Sequence, residues 1–358
     1  MTYPLKPLSE QTIVITGATS GHGLATARQA ARAGANVFLI ARNAEALKQV
    51  CAEIEAEGGG ADFAVCDVGD EAAVESAAER AVQRFGHFDT WVNNAGVGIY
   101  GELETVSTKD HRRVFETNYW GVVFGSMAAV KRLKTGGGGA LINVGSINSD
   151  MASPILSAYT ASKHAVKGFT DSLRLELMAD KSPISVTLIK PAAIGTPFPS
   201  RAGNVTGFQP RLPAPVYAPE LVADAILHAA EHPRRSITVG GAGRFQVFGA
   251  TVFPKLFDQI GSRMVPLLVD RTIHVPQTEG SLHQPGSDGR VEGEQKGSPF
   301  SAYTTAQTNP LLVAGGLALL AVGAASAVAA MPAKALLSRG TGHRFSPLRR
   351  LHRSAGVP

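Results

Sequence analysis

A short β-branched run, TIVIT at 12–16, leads straight into the glycine-rich stretch TGATSGHG and then into a helical pattern over 22–33. The chain repeats this unit. NVFLI at 36–40 reads as a second strand, and 44–57 as a helix that GGG at 58–60 stops. A strand at 62–66, a helix near 71–85 and a strand at 89–93 follow, with further strand-like runs at 139–144 and 184–190. Such alternation predicts βαβ units, and therefore an α/β fold whose parallel sheet carries helices on both faces. Order then thins. Residues 218–232 read as a helix, 236–240 as a strand, and 244–268 as a mostly apolar helical stretch.

Composition narrows the function classes. Hydrophobic residues make up 44% and charged residues 18%, enough apolar material for a core, so wholesale disorder is excluded. Cys51 and Cys66 are the only cysteines, which excludes a disulfide framework and a cysteine zinc site. No histidine pair is read as a metal site, so no metal is expected. The formal charge is +5, but six basic residues follow Met331 with no acid among them; without them 28 basic residues face 29 acidic ones. A near-neutral body argues against nucleic-acid binding. The N-terminus MTYPLKPLSE has no apolar run of the signal-peptide kind, so the catalytic body is expected in the cytoplasm.

Four motifs carry the chemistry. In TGATSGHG, the residues Gly17, Thr19, Ser20, Gly21, His22 and Gly23 lie between a strand and a helix. Glycines there allow a tight turn and let a pyrophosphate approach the positive end of a helix. The second motif is NNAG, Asn93 to Gly96, directly after a strand, and the third is Ser146 in NVGS after another. The fourth is Tyr159-x3-Lys163 on a segment of helical period, where positions four apart share one face. Its neighbours Ala158, Ala161 and Ser162 are small and leave room for a ligand.

Taken together, the chain resembles the short-chain dehydrogenase/reductases from about residue 7 to residue 245. The resemblance rests on TGATSGHG, Asp67 in CDV, NNAG, Asn118 in ETNYWG, Ser146 thirteen residues before Tyr159, Tyr159-x3-Lys163, and PAAIGT at 191–196. It implies a Rossmann-type doubly wound sheet and a small-molecule alcohol or carbonyl substrate. Tyr159 would be the general acid and base, Lys163 would favour its phenolate and hold the nicotinamide ribose, and Ser146 would bond the substrate oxygen. Asn118 would anchor a water that relays protons to Lys163. The cofactor residues it implies are Gly17, Thr19, Ser20, Gly21, His22, Gly23, Asp67, Asn94, Tyr159, Lys163, Pro191 and Thr196. Two positions depart from the family pattern. His22 stands where Ile is usual and reads as packing or surface. Ala192 replaces a common Gly. The resemblance also implies homo-oligomers, commonly through the helix carrying Tyr159, on which Leu173, Leu175 and Leu177 could equally be core. Trp91, Tyr119 and Trp120 read as core.

The second strand ends in Ala41, Arg42 and Asn43, with no acid to accept a ribose 2′-hydroxyl. Arg42 suits a 2′-phosphate, so NADP(H) is expected over NAD(H), unless Arg42 is an ordinary surface residue. A non-catalytic nucleotide-binding scaffold of the same fold is the alternative function. The substrate would lie under the loop at 197–217, with Arg201 and Arg211, and an apolar, lipid-like carbonyl compound is expected there.

The expected domains are a catalytic domain at 7–269, a flexible linker at 270–309 and an apolar helix at 310–332, with a basic tail at 333–358. Residues 311–331 carry no charge and have the length of a membrane span. Eight alanines and three glycines dilute five leucines there. The basic tail favours a cytoplasmic C-terminus, which conflicts with a cytoplasmic reductase on a single span. A tail anchor, a helix lying on the membrane surface and a soluble tail all remain open.

Overall fold

The computed structural model describes residues 4–286 and 289–309. Seven strands form one parallel sheet: β1 (Thr12–Thr16), β2 (Asn36–Ala41), β3 (Ala61–Val65), β4 (Thr90–Asn93), β5 (Gly139–Val144), β6 (Ile184–Pro191) and β7 (Ser236–Val239). Their spatial order is 3-2-1-4-5-6-7. The order reverses between β1 and β4, and in such sheets the crevice beyond the carboxyl ends at that point takes the ligand.

Side chains alternate across the strands. Ile13, Ile15, Val37 and Leu39 pack on one face against α1 (Gly21–Arg32), α2 (Ala44–Ala56) and α7 (Pro219–Glu231). Val14, Phe38 and Ile40 pack on the other against α3 (Glu71–Phe85), α5 (Gly121–Thr135) and α6 (Ser157–Ala179). Between α3 and α5 lie α4 (Thr108–Phe115) and a single π-helical turn, Glu116–Trp120, which places Asn118. Such turns are rare and tend to sit at functional sites.

Trp91 is fully buried, as its strand position leads one to expect, but Trp120 is 46% exposed and not core, because its helical face turns away from the sheet. On α6 the leucines split the same way. Leu177 is buried, whereas Leu175 is 63% exposed.

Two expected segments come out differently. The apolar stretch 244–268 is not one helix but α8 (Gly241–Val252), α9 (Pro254–Gly261) and a single turn, Val265–Leu268. Pro254 and Pro266 lack the N–H that would continue a helix through them. The expected linker 270–309 is not extended away from the domain. Val269–His274 pairs antiparallel with Phe208–Pro210, and Ala302–Thr308 is helical. Gln307 Nε2 donates to the Thr238 carbonyl on β7, and the compact unit runs to Thr308. Residues 311–331, with the expected membrane helix, and the basic tail lie outside the described residues. Among the described residues, no helix is long and apolar enough to cross a membrane.

A buried polar ladder fixes α6 on the sheet. Asn93 Nδ2 donates to Asn143 Oδ1 (2.9 Å) and to Ser126 Oγ (3.1 Å). Asn143 Nδ2 donates to Thr170 Oγ1 (2.9 Å), halfway along the helix that carries Tyr159. Removing the middle rung strands buried donors and acceptors on both sides. Asn143→Ala is expected to lower unfolding stability by roughly 2–4 kcal/mol in denaturant titration. A loss under ~0.5 kcal/mol would show the ladder to be idle.

Candidate active site

The glycine turn after β1 and the turn after β4 are tied into one piece. Gly17 has φ +66° and Gly21 φ +54°, both in the left-handed region that favours glycine. A Cβ on Gly17 would stand 2.8 Å from Ala95 Cα. Asn94 Nδ2 donates to the carbonyls of Thr16 (2.8 Å) and Gly17 (3.2 Å). Thr16 Oγ1 accepts from the backbone of Asn94 and Ala95. Gly23 does not line the cleft as expected. It lets α1 approach the turn, since a Cβ there would fall 2.3 Å from the Gly17 carbonyl and 2.4 Å from Asn94 Nδ2.

His22 belongs to the same knot. With both Asn94 N–H groups used on carbonyls, Asn94 Oδ1 accepts from His22 Nδ1 at 2.6 Å. Burial pushes the imidazole down to about 4, with the Asn94 bond opposing. His22 is therefore neutral at pH 7, with its proton on Nδ1 and Nε2 left as an acceptor. The reading as packing or surface missed this. The ring lines both cavities of the site.

The first cavity is a cleft of about 1000 Å³. Gly17, Thr19, Ser20 and Gly21 form its floor, and Arg42, Asp67 and Asn94 its sides. The second, of about 1160 Å³, holds Ser146, Tyr159, Lys163 and Pro191. The two adjoin, with His22, Asn94, Gly96, Thr196 and Phe198 lining both. The Phe198 ring lies 5.4 Å from that of Tyr159, a neighbour that the motifs do not mark.

Ser146, Tyr159 and Lys163 meet as the spacing requires. Ser146 caps a short 3-10 turn after β5, its Oγ accepting from Asn148 N–H (3.1 Å). Tyr159 and Lys163 are one turn apart on α6, with Nζ 5.8 Å from the Tyr159 ring centre. Nζ donates to the Val144 carbonyl at 2.9 Å. Burial lowers the Lys163 pKa to about 8, with no carboxylate offsetting it. Burial likewise pushes the Tyr159 phenol up, and the Ser146 hydroxyl only partly opposes this.

Asn118 does not line either cavity. Its Oδ1 accepts from Val97 N–H (2.8 Å), and its Nδ2 donates to the Val97 carbonyl and to Ser162 Oγ, both at 2.9 Å. The side chain is a clamp between the loop after β4 and α6, with both its N–H groups committed. Arg113 is a residue the sequence reading missed. Its Nη2 holds Asp67 Oδ2 at 2.5 Å.

Away from Ser146, Tyr159 and Lys163, the second cavity is walled largely by Tyr100, Ile147, Met151, Leu156, Leu212 and Leu268. Arg201 lines the first cavity instead. Arg211 points to Asp270 and the Pro266 carbonyl. Gln246, Met264 and Leu268 cover the cavity from the stretch 241–268. Elsewhere, His228 and His232 stand four residues apart and stack at 4.5 Å, a pair the sequence reading overlooked. Asp110, Glu279 and His283 also bring ligand atoms close together.

The family model described as short chain dehydrogenase matches residues 11–204, more than half of the chain. The chain belongs to the short-chain dehydrogenase/reductase family. An uncharacterized oxidoreductase of Bacillus subtilis, YxnA, is 42% identical over 332 residues, spanning 90% of this chain and 92% of its own length. The bovine dehydrogenase/reductase SDR family member 7B is 35% identical over 256 residues, 68% of this chain and 78% of its own. A solved short-chain dehydrogenase/reductase from Burkholderia phymatum, in complex with NAD, superposes with a TM-score of 0.63 at 25% identity, covering 70% of this chain and 96% of its own. The chain is thus an NAD(P)-dependent oxidoreductase by family.

Lys163 gives a test with a defined sign. Its folded pKa of about 8 lies below the ordinary 10.5, so the buried ammonium costs stability in full below pH 8. That cost fades as pH rises from about 8 toward 10.5. Lys163→Met is expected to raise the melting temperature of the cofactor-free protein at pH 7 and to lose the advantage by pH 10.5. Turnover should vanish. A variant less stable than wild type at pH 7 would contradict the burial cost.

Proposed function

We propose that this chain is an NADP(H)-dependent oxidoreductase that interconverts an apolar ketone or aldehyde and its alcohol, with Tyr159 as general acid and base. One observation carries the reading: the cleft under the glycine turn adjoins the cavity that holds Ser146, Tyr159 and Lys163, and five residues line both. The residues fit a dinucleotide. Glycine backbone lies at the turn, the helix α1 begins there, and the cleft is lined by both. The bound nicotinamide supplies or accepts the hydride. The remaining chemistry falls to the chain.

In reduction, Tyr159 gives its proton to the carbonyl oxygen, and in oxidation it takes one from the alcohol. Ser146 donates to the same oxygen as charge develops on it. A buried phenol is reluctant to ionise, so the positive Lys163 next to it matters most when Tyr159 must part with its proton. Largely apolar walls, and no charged side chain but Lys163 among the described lining residues, support an apolar substrate.

Arg42 supports NADP(H). It lines the nucleotide cleft at the end of β2, no acid stands at Ala41 or Asn43, and its guanidinium keeps N–H donors beyond those its protein partners take. Turnover of a panel of apolar ketones with NADPH and with NADH tests the proposal. NADPH is expected to give a kcat/KM at least about tenfold higher, and Tyr159→Phe to lose about a thousandfold or more in kcat while still binding cofactor. A clear NADH preference would remove the role of Arg42. Near-native turnover by Tyr159→Phe would remove the acid and base.

A further inference from the structure

We propose that residues 280–286 form a strap that is a built part of the cofactor site: it closes the adenosine end of the nucleotide cleft and slows release of the dinucleotide. The proposal rests on the reading of that cleft as the NAD(P) site. The segment lies beyond residues 11–204, the reach of the family match, and its composition marks it as a linker.

The strap forms a wall of the cleft. Ser281, Pro285 and Gly286 line it together with the glycine turn after β1. It also holds the residues that face the adenosine. Arg42 donates through Nη1 to the Leu282 carbonyl (3.0 Å), and through Nη2 to the carbonyls of Ser281 (2.5 Å) and Gln284 (3.3 Å). Arg113 Nε donates to the same Leu282 carbonyl (2.8 Å) while its Nη2 holds Asp67. Asn43 Nδ2 donates to the Gly286 carbonyl (2.8 Å). The ends of β2 and β3 are thus tied to one stretch of backbone. A long arginine side chain loses its rotamer freedom before any ligand arrives, which removes that entropy cost from binding.

The strap is anchored at three points. Leu282 is fully buried in a cluster with Val97, Ile99, Val106, Val114 and Ala158, the last being the neighbour of Tyr159. Gly280 has φ +55°, and a Cβ there would stand 2.3 Å from the Arg201 carbonyl, so the chain enters the strap through a turn that leaves no room for a side chain. His283 Nε2 pairs with Asp110 Oδ1 at 2.9 Å. Downstream, the Arg290 carbonyl accepts from the Gly21 N–H (2.9 Å), so the same length of chain also touches the glycine turn. A dinucleotide in the cleft would lie between the ends of β2 and β3 and the strap, and phosphates bonding the Gly21 N–H would have to displace the Arg290 carbonyl. For it to leave by the adenosine end, the Leu282 anchor must come out of its apolar seat.

Release rates test this in the full-length protein. NADPH bound to wild type, to Leu282→Gln and to His283→Ala is chased with excess NADP+ and followed by nucleotide fluorescence. Far-UV circular dichroism and melting confirm that each variant is folded. Leu282→Gln is expected to release NADPH at least about tenfold faster and His283→Ala about threefold faster, with the dissociation constant rising in step. Should Leu282→Gln fail to fold, the milder change at the half-buried His283, His283→Ala, decides alone. Wild-type release rates in folded variants would overturn the proposal. Tighter or faster cofactor binding in the variants would overturn it too, by showing a strap that obstructs. Failure of wild type to bind either NADPH or NADH would sink the reading of the cleft itself, and the strap with it.

Discussion

The side chain of Asn94 holds the two halves of the sheet in register at the place where the site must form. Its amide donates to the carbonyls of Thr16 and Gly17 and accepts from His22, so the turns after β1 and β4 move as one body. The glycines follow from that constraint. Gly17 and Gly23 are pressed so closely against Asn94 and Ala95 that neither has space for a Cβ. The neutral state of His22 follows as well, because the cost of burying its charge outweighs the bond to Asn94 Oδ1. The two cavities of the site adjoin across these few residues.

The second constraint is the buried lysine. Lys163 lies beneath the substrate cavity with a carbonyl for a partner and no carboxylate. A stable fold gains nothing from such a group, since a buried charge without an opposite charge is expensive. The Asn93, Asn143 and Thr170 ladder and the Asn118 clamp hold α6 against that cost. Strain of this kind, kept in place by neighbouring polar networks, is what a functional site looks like in an otherwise consistent fold.

The sheet was legible in the sequence because its signals are local. Alternating apolar faces on β1 and β2 and helical period on α1 and α6 depend on residues next to one another, and the turn glycines stand where φ is positive. Ser146, Tyr159 and Lys163 came together because their spacing matches one strand end and one helical turn. The strap was not legible. Arg42, Arg113 and Asn43 reach backbone carbonyls some 170 to 240 positions away, and a carbonyl carries no mark of residue type. Leu282 is a single apolar residue in a polar run, so no periodicity announces its burial. Trp120 failed for the opposite reason: hydrophobicity predicts a buried ring, but position on the helix decides. His22 shows the same limit, since its state depends on which way the Asn94 amide faces.

In the proposed reaction the two cavities act as one site, with a carbonyl carbon beside the nicotinamide and its oxygen at Tyr159 and Ser146. NADPH carrying deuterium at both C4 positions, incubated with wild-type protein and a panel of apolar ketones, tests it most directly. Mass spectrometry of the product alcohol should find one deuterium, on the carbinol carbon and nowhere else. Bound NADPH that is consumed with no label reaching the product, or with the label lost to water, would contradict the account.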